Sequence, residues 1–400
     1  MLWEFRRRFG KAGNLEAELA AGIEAYRRES LLGVPPAALD VMGRTNSPRF
    51  AILGTKDFGS SFVASVAGRH EIACVVDDFK SHKGQRFHGV PIISSDRFVS
   101  VAASDPTLIA VNSCRFDYSR RYFERLCEDN GIPLLNFEQG IRLLDLNSKV
   151  DHRLADWAPT ISANADRYFD LAKRLSDSYS VDTLCSVLLF HLSCDPEWHQ
   201  SISKPYSSLY FRSGLFALAD DESLVDCGAS IGESTTAFID ATKGCIRHSW
   251  MIEPDRFNLV TLEDFLRKHE GSQVDGRISL HPYAVGSERS VLQFNHVGWH
   301  GGSIAVGGGG NGEVEVDTIE AIVDSAPSII KMDIEGAEMD ALRGAKTIIS
   351  DYKPKLLVSA YHRSTDLLEI TGLIDSLRGD YRVGLRHHTE DRWDSCLYFY

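Results

Sequence analysis

A chain of 400 residues with 43% hydrophobic content has room for two or three domains, each with a core of its own. The formal net charge of -13 argues against nucleic acid as the main partner, since phosphate binding needs a basic face, and against an anionic membrane surface. The 8 cysteines are scattered, with no CxxC pair and no zinc spacing, which fits reduced thiols buried as small hydrophobes in a cytoplasmic protein.

Residues 1–10 carry arginines but no apolar run after them, so neither a signal peptide nor a membrane span is expected there. Leu15, Leu19, Ile23 and Tyr26 recur at helical spacing and predict a helix over 14–32. Pro35, Pro36 and the stretch 46–48 read as a linker, which closes an N-terminal segment at 1–48. An α/β domain follows at 49–145. Phe50-Ala51-Ile52-Leu53-Gly54 is a strand ending in glycine, a helix runs over 61–67, and Ile72-Ala73-Cys74-Val75-Val76 is the next strand, closed by Asp77-Asp78. Further strands at 89–93 and 108–111 and a helix over 118–128 continue the alternation, which implies a parallel sheet.

Residues 150–222 are helical in pattern, with Leu171, Leu175, Leu184, Leu188 and Leu189 as the apolar stripe. Alternation resumes at 223–400. Strands are expected at 223–228, 249–253, 278–285, 291–296, 328–333, 355–360, 381–386 and 395–400, the last two forming an antiparallel hairpin at the sheet edge. The glycines at 307–310 and Gly312 read as a loop.

The most informative stretch is Val225-Asp226-Cys227-Gly228-Ala229-Ser230-Ile231-Gly232-Glu233, a buried strand, a glycine turn and a helix start. Gly228 and Gly232 let a backbone pass close to a ligand, and the exposed amides favour an electron-rich group. Glu253, at the end of the next strand, has the spacing that grips a ribose diol. A nucleoside ligand is therefore expected. The full G-x-G-x-x-G pattern is missing, so a pyrophosphate is less well accommodated than a nucleoside without phosphates.

The second informative stretch is Ile330-Lys331-Met332-Asp333-Ile334-Glu335-Gly336-Ala337-Glu338. Asp333 and Glu335, two apart on a strand, share a face and point into one cleft outside the strand ends. The rival reading is an acidic helix N-terminus, and Glu338 is assigned to it. His362 follows a strand to the same rim, as a general base or as an exposed loop residue. His300 and Ser303 lie in a glycine-bearing loop within reach of a substrate, and Trp299 reads as packing. In the front domain, residues 54–59 read either as a second nucleotide loop with Asp77 as its diol ligand or as scaffold.

On these residues, with Ile252-Glu253-Pro254-Asp255, Ala284-Val285-Gly286-Ser287, Leu342-Arg343-Gly344-Ala345 and Tyr361-His362-Arg363, the region 224–400 resembles the FkbM-type S-adenosylmethionine-dependent methyltransferases. Tyr210-Phe211 resembles the approach segment of some members. The resemblance implies a class I methyltransferase fold, a seven-stranded doubly wound α/β sheet with the last strand antiparallel. Here a smaller Rossmann-like α/β domain precedes it, faintly similar to domains attached to sugar-modifying enzymes. The resemblance also implies S-adenosyl-L-methionine as donor and a hydroxyl on a small molecule or glycan as acceptor. Asp226, Gly228, Ala229, Ser230, Gly232 and Glu233 would hold the methionine end, Glu253 the ribose, and the residues around Ala284 the adenine. Asp333 is expected at both donor and acceptor, and the base is one of Asp333, Glu335 and His362. Cys227 and Ser230 depart from the small residues common in that loop. No complete set of metal ligands is legible, although Asp333 and Glu335 would bridge a divalent ion. Two other classes stay open, a nicotinamide-dependent oxidoreductase and a non-catalytic nucleotide- or glycan-binding protein.

Overall fold

Short, mostly apolar strands build the first sheet, the most deeply buried being Arg49–Leu53 and Leu108–Asn112. Its strands are β1 (Arg49–Leu53), β2 (Glu71–Val76), β3 (Arg86–Phe87), β4 (Val90–Ile93), β5 (Leu108–Asn112) and β6 (Leu134–Asn136), in the order β3-β4-β2-β1-β5-β6. All pairs are parallel except β3 with β4. The computed structural model describes residues 14–28, 33–56, 58–81, 84–114, 117–146, 154–299, 301–305 and 309–400. The arginine-bearing N-terminus, residues 29–32 of the expected first helix, Asp57, His300 and glycines 307–308 lie outside the described residues.

Two compact units emerge, Met1–Ala165 with Cys185–Trp198, and Asp166–Leu184 with His199–Tyr400. The helical stretch 150–222 is thus shared between them.

In the first unit the stretch read as a proline linker is in part a helix, Pro36–Arg44. Proline has no amide to leave unpaired at a helix start, and Ala38 and Val41 give the helix a buried face. Two further helices escaped the pattern reading. Ser95–Ser104 is capped by the Ser94 hydroxyl, and Phe137–Leu144 carries a full capping box between Asn136 and Gln139.

In the second unit β7 (Glu222–Cys227), β8 (Ile246–Ile252) and β9 (Ile278–His281) form one half of the large sheet. The strand expected at 278–285 breaks at Pro282, which cannot donate to a ladder. Its second part, β10 (Ala284–Val285), joins a separate sheet with β11 (Ser290–Asn295), β12 (Ser303–Ile304) and β13 (Gly312–Asp317), in the order β10-β13-β11-β12. β13 was legible. Val314 and Val316 are buried while Glu313 and Glu315 are exposed, a strict alternation hidden beside the glycine run.

The large sheet is completed by β14 (Ile329–Met332), β15 (Lys355–Ser359), β16 (Val383–His387) and β17 (Ser395–Phe399). Its order is β16-β17-β15-β14-β7-β8-β9, with β17 antiparallel to both neighbours and β16 at the edge. This is the seven-stranded class I methyltransferase sheet. The order reverses between β7 and β14, where a doubly wound sheet opens its ligand crevice.

One residue looks misplaced in this core. Lys331 sits in the fully buried β14, and its register partner on β7 is Asp226. Lys331 Nζ lies 3.1 Å from Asp226 Oδ1 and donates to the carbonyls of Gly228 (2.8 Å) and Cys227 (3.3 Å). Burial alone would strip the proton from Lys331, but the charges of Asp226 and Asp333 outweigh it and raise its pKa. The lysine is tolerated because it ties two strand ends together.

Candidate active site

The turn after β7 is left-handed at three residues, Gly228 (φ 76), Ser230 (φ 50) and Gly232 (φ 92). The amides of Gly228 and Ala229 donate to the Ile252 carbonyl at 3.0 and 3.1 Å. The glycines serve the protein before any ligand. A Cβ on Gly228 would stand 2.0 Å from the Asp333 carbonyl oxygen, and one on Gly232 would stand 2.9 Å from the Phe265 ring. Gly228→Ala is therefore expected to destabilise the fold by about 3 kcal/mol or more, through the left-handed backbone and the clash together. Denaturant unfolding checks this, and a variant within experimental error of wild type would contradict it.

Asp226 is fully buried behind the turn. Its Oδ2 accepts from Ser234 Oγ (2.6 Å) and Thr235 Oγ1 (2.8 Å), and Lys331 holds the other oxygen. The carboxylate expected at the methionine end of a donor thus braces the turn and the start of the helix Glu233–Ala241 from within. Ala229 is buried in the turn, Ser230 is half-buried, and Glu233 is exposed at the helix start.

Glu253 follows β8 and faces the turn. Its Oε2 accepts from the Ser230 amide at 2.8 Å, and its Oε1 from the Asp255 amide at 2.9 Å. Burial pushes the Glu253 pKa up to about 7 against these hydrogen bonds. Asp255 caps the helix Arg256–His269 and also accepts the amides of Val297 (2.9 Å) and Gly298 (2.8 Å). Ala284 is buried in β10, in the small sheet, where it pairs with Val316.

Across the crevice, the segment after β14 carries the acidic cluster. Asp333 Oδ2 accepts from the Tyr210 hydroxyl and Oδ1 from the Tyr361 hydroxyl, both at 3.0 Å. The two carboxylates converge for a reason other than strand alternation. β14 ends at Met332, and Glu335 turns left-handed at φ 56, which swings it back beside Asp333. His362 lies behind them. Its Nε2 is 3.5 Å from Asp333 Oδ1 and 3.8 Å from Glu335 Oε2, and its Nδ1 is 3.0 Å from Glu338 Oε1. Glu338 also accepts the amides of Ile334 (3.0 Å) and Gly336 (3.4 Å), so it both caps the helix start and holds the imidazole. The side chains of Asp333 and Glu335 are 24% and 22% exposed, whereas those of His362 and Glu338 are 2% exposed. Two carboxylates face the crevice and an ion pair backs them.

The electrostatics separate the roles. Burial would lower the His362 pKa, but Glu338, Glu335 and Asp333 hold its proton and push it up to about 10. These charges favour the protonated imidazole, which counts against His362 as the base. Burial would raise the Asp333 pKa, yet His362, Lys331 and the two tyrosine hydroxyls keep it below the usual carboxylate range. At Glu335 burial dominates over the His362 charge, helped by the like charges of Asp333 and Glu338, and pushes its pKa up to about 7. Burial and nearby Glu338 push Asp366 to about 7 as well. Asp333, Glu338 and His362 bring one ligand atom each within 4.8 Å of one another. As arranged, the three side chains form an ion-pair network.

Tyr210, Lys331, Glu338, Tyr361 and Asp366 were missed as site residues. Tyr361 adjoins the candidate His362, and Tyr210 stands in the approach segment, so position was their only signal. In the first unit, Asp77 is engaged locally. Its oxygens accept from Thr55 Oγ1 (2.5 Å) and from the Phe79 and Lys80 amides. Among the described residues no helix is long and apolar enough to cross a membrane.

The fold and the crevice are those of a class I methyltransferase. The family model of the methyltransferase FkbM domain matches residues 226–383. The crystal structure of a methyltransferase FkbM from Methylobacillus flagellatus KT is 45% identical, with 96% of this chain and 99% of that chain covered and a TM-score of 0.89. The chain belongs to the FkbM methyltransferase family. Fainter likenesses, too distant to carry an argument, are to an rRNA methylase from Streptococcus thermophilus (12% identity, 46% of this chain and 87% of that, TM-score 0.28) and a precorrin-6y C5,15-methyltransferase from Geobacter metallireducens GS-15 (12%, 46% and 80%, TM-score 0.27). No curated protein matches the chain.

Proposed function

We propose that the chain is an S-adenosylmethionine-dependent O-methyltransferase acting in the cytoplasm on a hydroxyl of a carbohydrate, glycan or secondary metabolite. The carrying observation is the crevice between β7 and β14, with a braced glycine turn on one side and two half-buried carboxylates on the other. The donor fits this chain's residues. Glu253 is a desolvated carboxylate whose charged form a diol would stabilise, and it is bonded to the turn 228–232 through the Ser230 amide. When bound, the donor supplies an electrophilic methyl group on a sulfonium.

The protein's part is to place an acceptor oxygen in line and to take its proton. Glu335 is the proton acceptor, because its pKa of about 7 matches neutral operation and its side chain reaches the crevice. Asp333, kept charged by its partners, orients the reactants and favours positive charge nearby. His362 and Glu338 position both carboxylates. Asp226 positions the turn. Residues 49–145 form a Rossmann-like domain in this reading, attached to a methyltransferase domain at 223–400. The lack of G-x-G-x-x-G in either unit argues against nicotinamide chemistry, and the half-buried carboxylate pair against a purely structural role.

Glu253→Ala tests the donor site. Loss of the diol contact is expected to weaken binding of S-adenosylmethionine or its demethylated product by about ten- to a hundredfold by calorimetry. An unchanged dissociation constant would remove Glu253 from the site. Absence of binding by the wild-type protein would end the whole reading.

A further inference from the structure

The loop between β11 and β12 is fastened to the turn that follows β7. Ser230 Oγ donates to the Trp299 carbonyl at 3.0 Å, and Asn258 pairs with the Trp299 backbone twice, accepting its amide at 2.7 Å and donating to its carbonyl at 2.8 Å. Asp255 holds the two preceding amides. Five hydrogen bonds therefore fix residues 297–299. Against that rigid backbone, the Trp299 side chain is 72% exposed, and its φ is 55. A bulky residue in the left-handed region is an outlier that the surroundings must enforce. The enforced conformation holds an indole out in water, so packing, the reading from the sequence, does not explain it. Phe257, 52% exposed, lies against the same loop, its Cβ being the nearest atom to a Cβ built on Gly298.

We propose that Trp299 is a specificity-determining residue that stacks on the ring of the methyl acceptor, and that the acceptor is a pyranose. The inference rests on the donor-site reading above, since Ser230 belongs to the donor turn and holds the Trp299 backbone beside it. The electron-rich indole face attracts the partially positive C–H groups on the apolar face of a pyranose, while the ring hydroxyls stay free to point elsewhere. A pre-fixed ring loses little entropy on binding, which is what the five hydrogen bonds provide. Fastening through Ser230 also sets the stacked ring in a constant position relative to the donor turn.

The test uses the full chain, methyl-labelled S-adenosylmethionine and a panel of p-nitrophenyl hexopyranosides. The wild type is expected to methylate at least one. On that compound Trp299→Ala raises the acceptor KM by about tenfold, as for truncation of an aromatic anchor, with a much smaller change in kcat. Trp299→Phe retains most of the affinity, and the donor dissociation constant is the same in all three proteins. Three results overturn the proposal: an acceptor KM unchanged in Trp299→Ala, a loss confined to donor affinity, or no pyranoside turned over by a wild type that binds the donor. A wild type that binds no donor instead overturns the donor-site reading, so the two failures are distinct.

Discussion

Glu335→Gln is expected to lower turnover by about a hundred- to ten-thousandfold, the range that a positioned general base supplies, while leaving donor affinity close to wild type. The wild-type pH profile carries the same information. Burial lifts the Glu335 pKa to about 7, so its basic form is populated above that pH and activity falls as the pH drops through it. The Gln variant lacks that limb. Stability moves the opposite way. A carboxyl whose folded pKa exceeds its unfolded value binds its proton more tightly in the native state. The buried charge then weighs against folding increasingly as pH rises from the unfolded pKa to about 7, and fully above it. Glu335→Gln removes that charge, so it is expected to be more stable than wild type by on the order of 1–3 kcal/mol at mildly alkaline pH, and by much less in mild acid. A variant that is inactive and also destabilised at alkaline pH would make Glu335 structural. Retained turnover would move the base to Asp333.

Lys331→Met is expected to destabilise the protein by about 3–5 kcal/mol, because it leaves Asp226 charged and buried without its cation. Asp226 keeps only the Ser234 and Thr235 hydroxyls, and two carbonyls at the turn lose their donor. The variant should unfold at lower denaturant and bind donor weakly, since the turn loses its rear support. Pairing it with Asp226→Leu should cost less than the sum of the two single changes, as both charges then leave together. A Lys331→Met protein within about 1 kcal/mol of wild type would show that the pair is dispensable.

The sequence was readable where a strand is an unbroken apolar run and where a motif combines glycines with a fixed carboxylate. The large sheet, the turn at 228–232, Glu253 and the Asp333–Glu335–His362 group all belong to those cases. It was misleading where one residue type has two uses. Pro36 starts a helix although prolines usually mark linkers, and Pro282 splits one apparent strand between two sheets. Gly228 reads as room for a ligand, while the Asp333 carbonyl also demands that a Cβ be absent there. The division of labour among the acidic residues was not readable at all. It depends on a left-handed turn at Glu335, on two tyrosine hydroxyls from distant segments, and on Glu338 reaching the far side of an imidazole. Local pattern encodes none of these, because the partners are set by long-range packing. Trp299 illustrates the same limit. Its residue type suggests a core, and only the hydrogen bonds around it reveal that it is presented to water.

The contact between Gly228 and the Asp333 carbonyl, reinforced by the Lys331 ammonium on the same turn, has a thermodynamic corollary. The two sides of the crevice share this backbone seam, through which a ligand on one side can act on a ligand on the other. Whatever factor the first ligand contributes to the affinity of the second must be returned in equal measure when the order of addition is reversed.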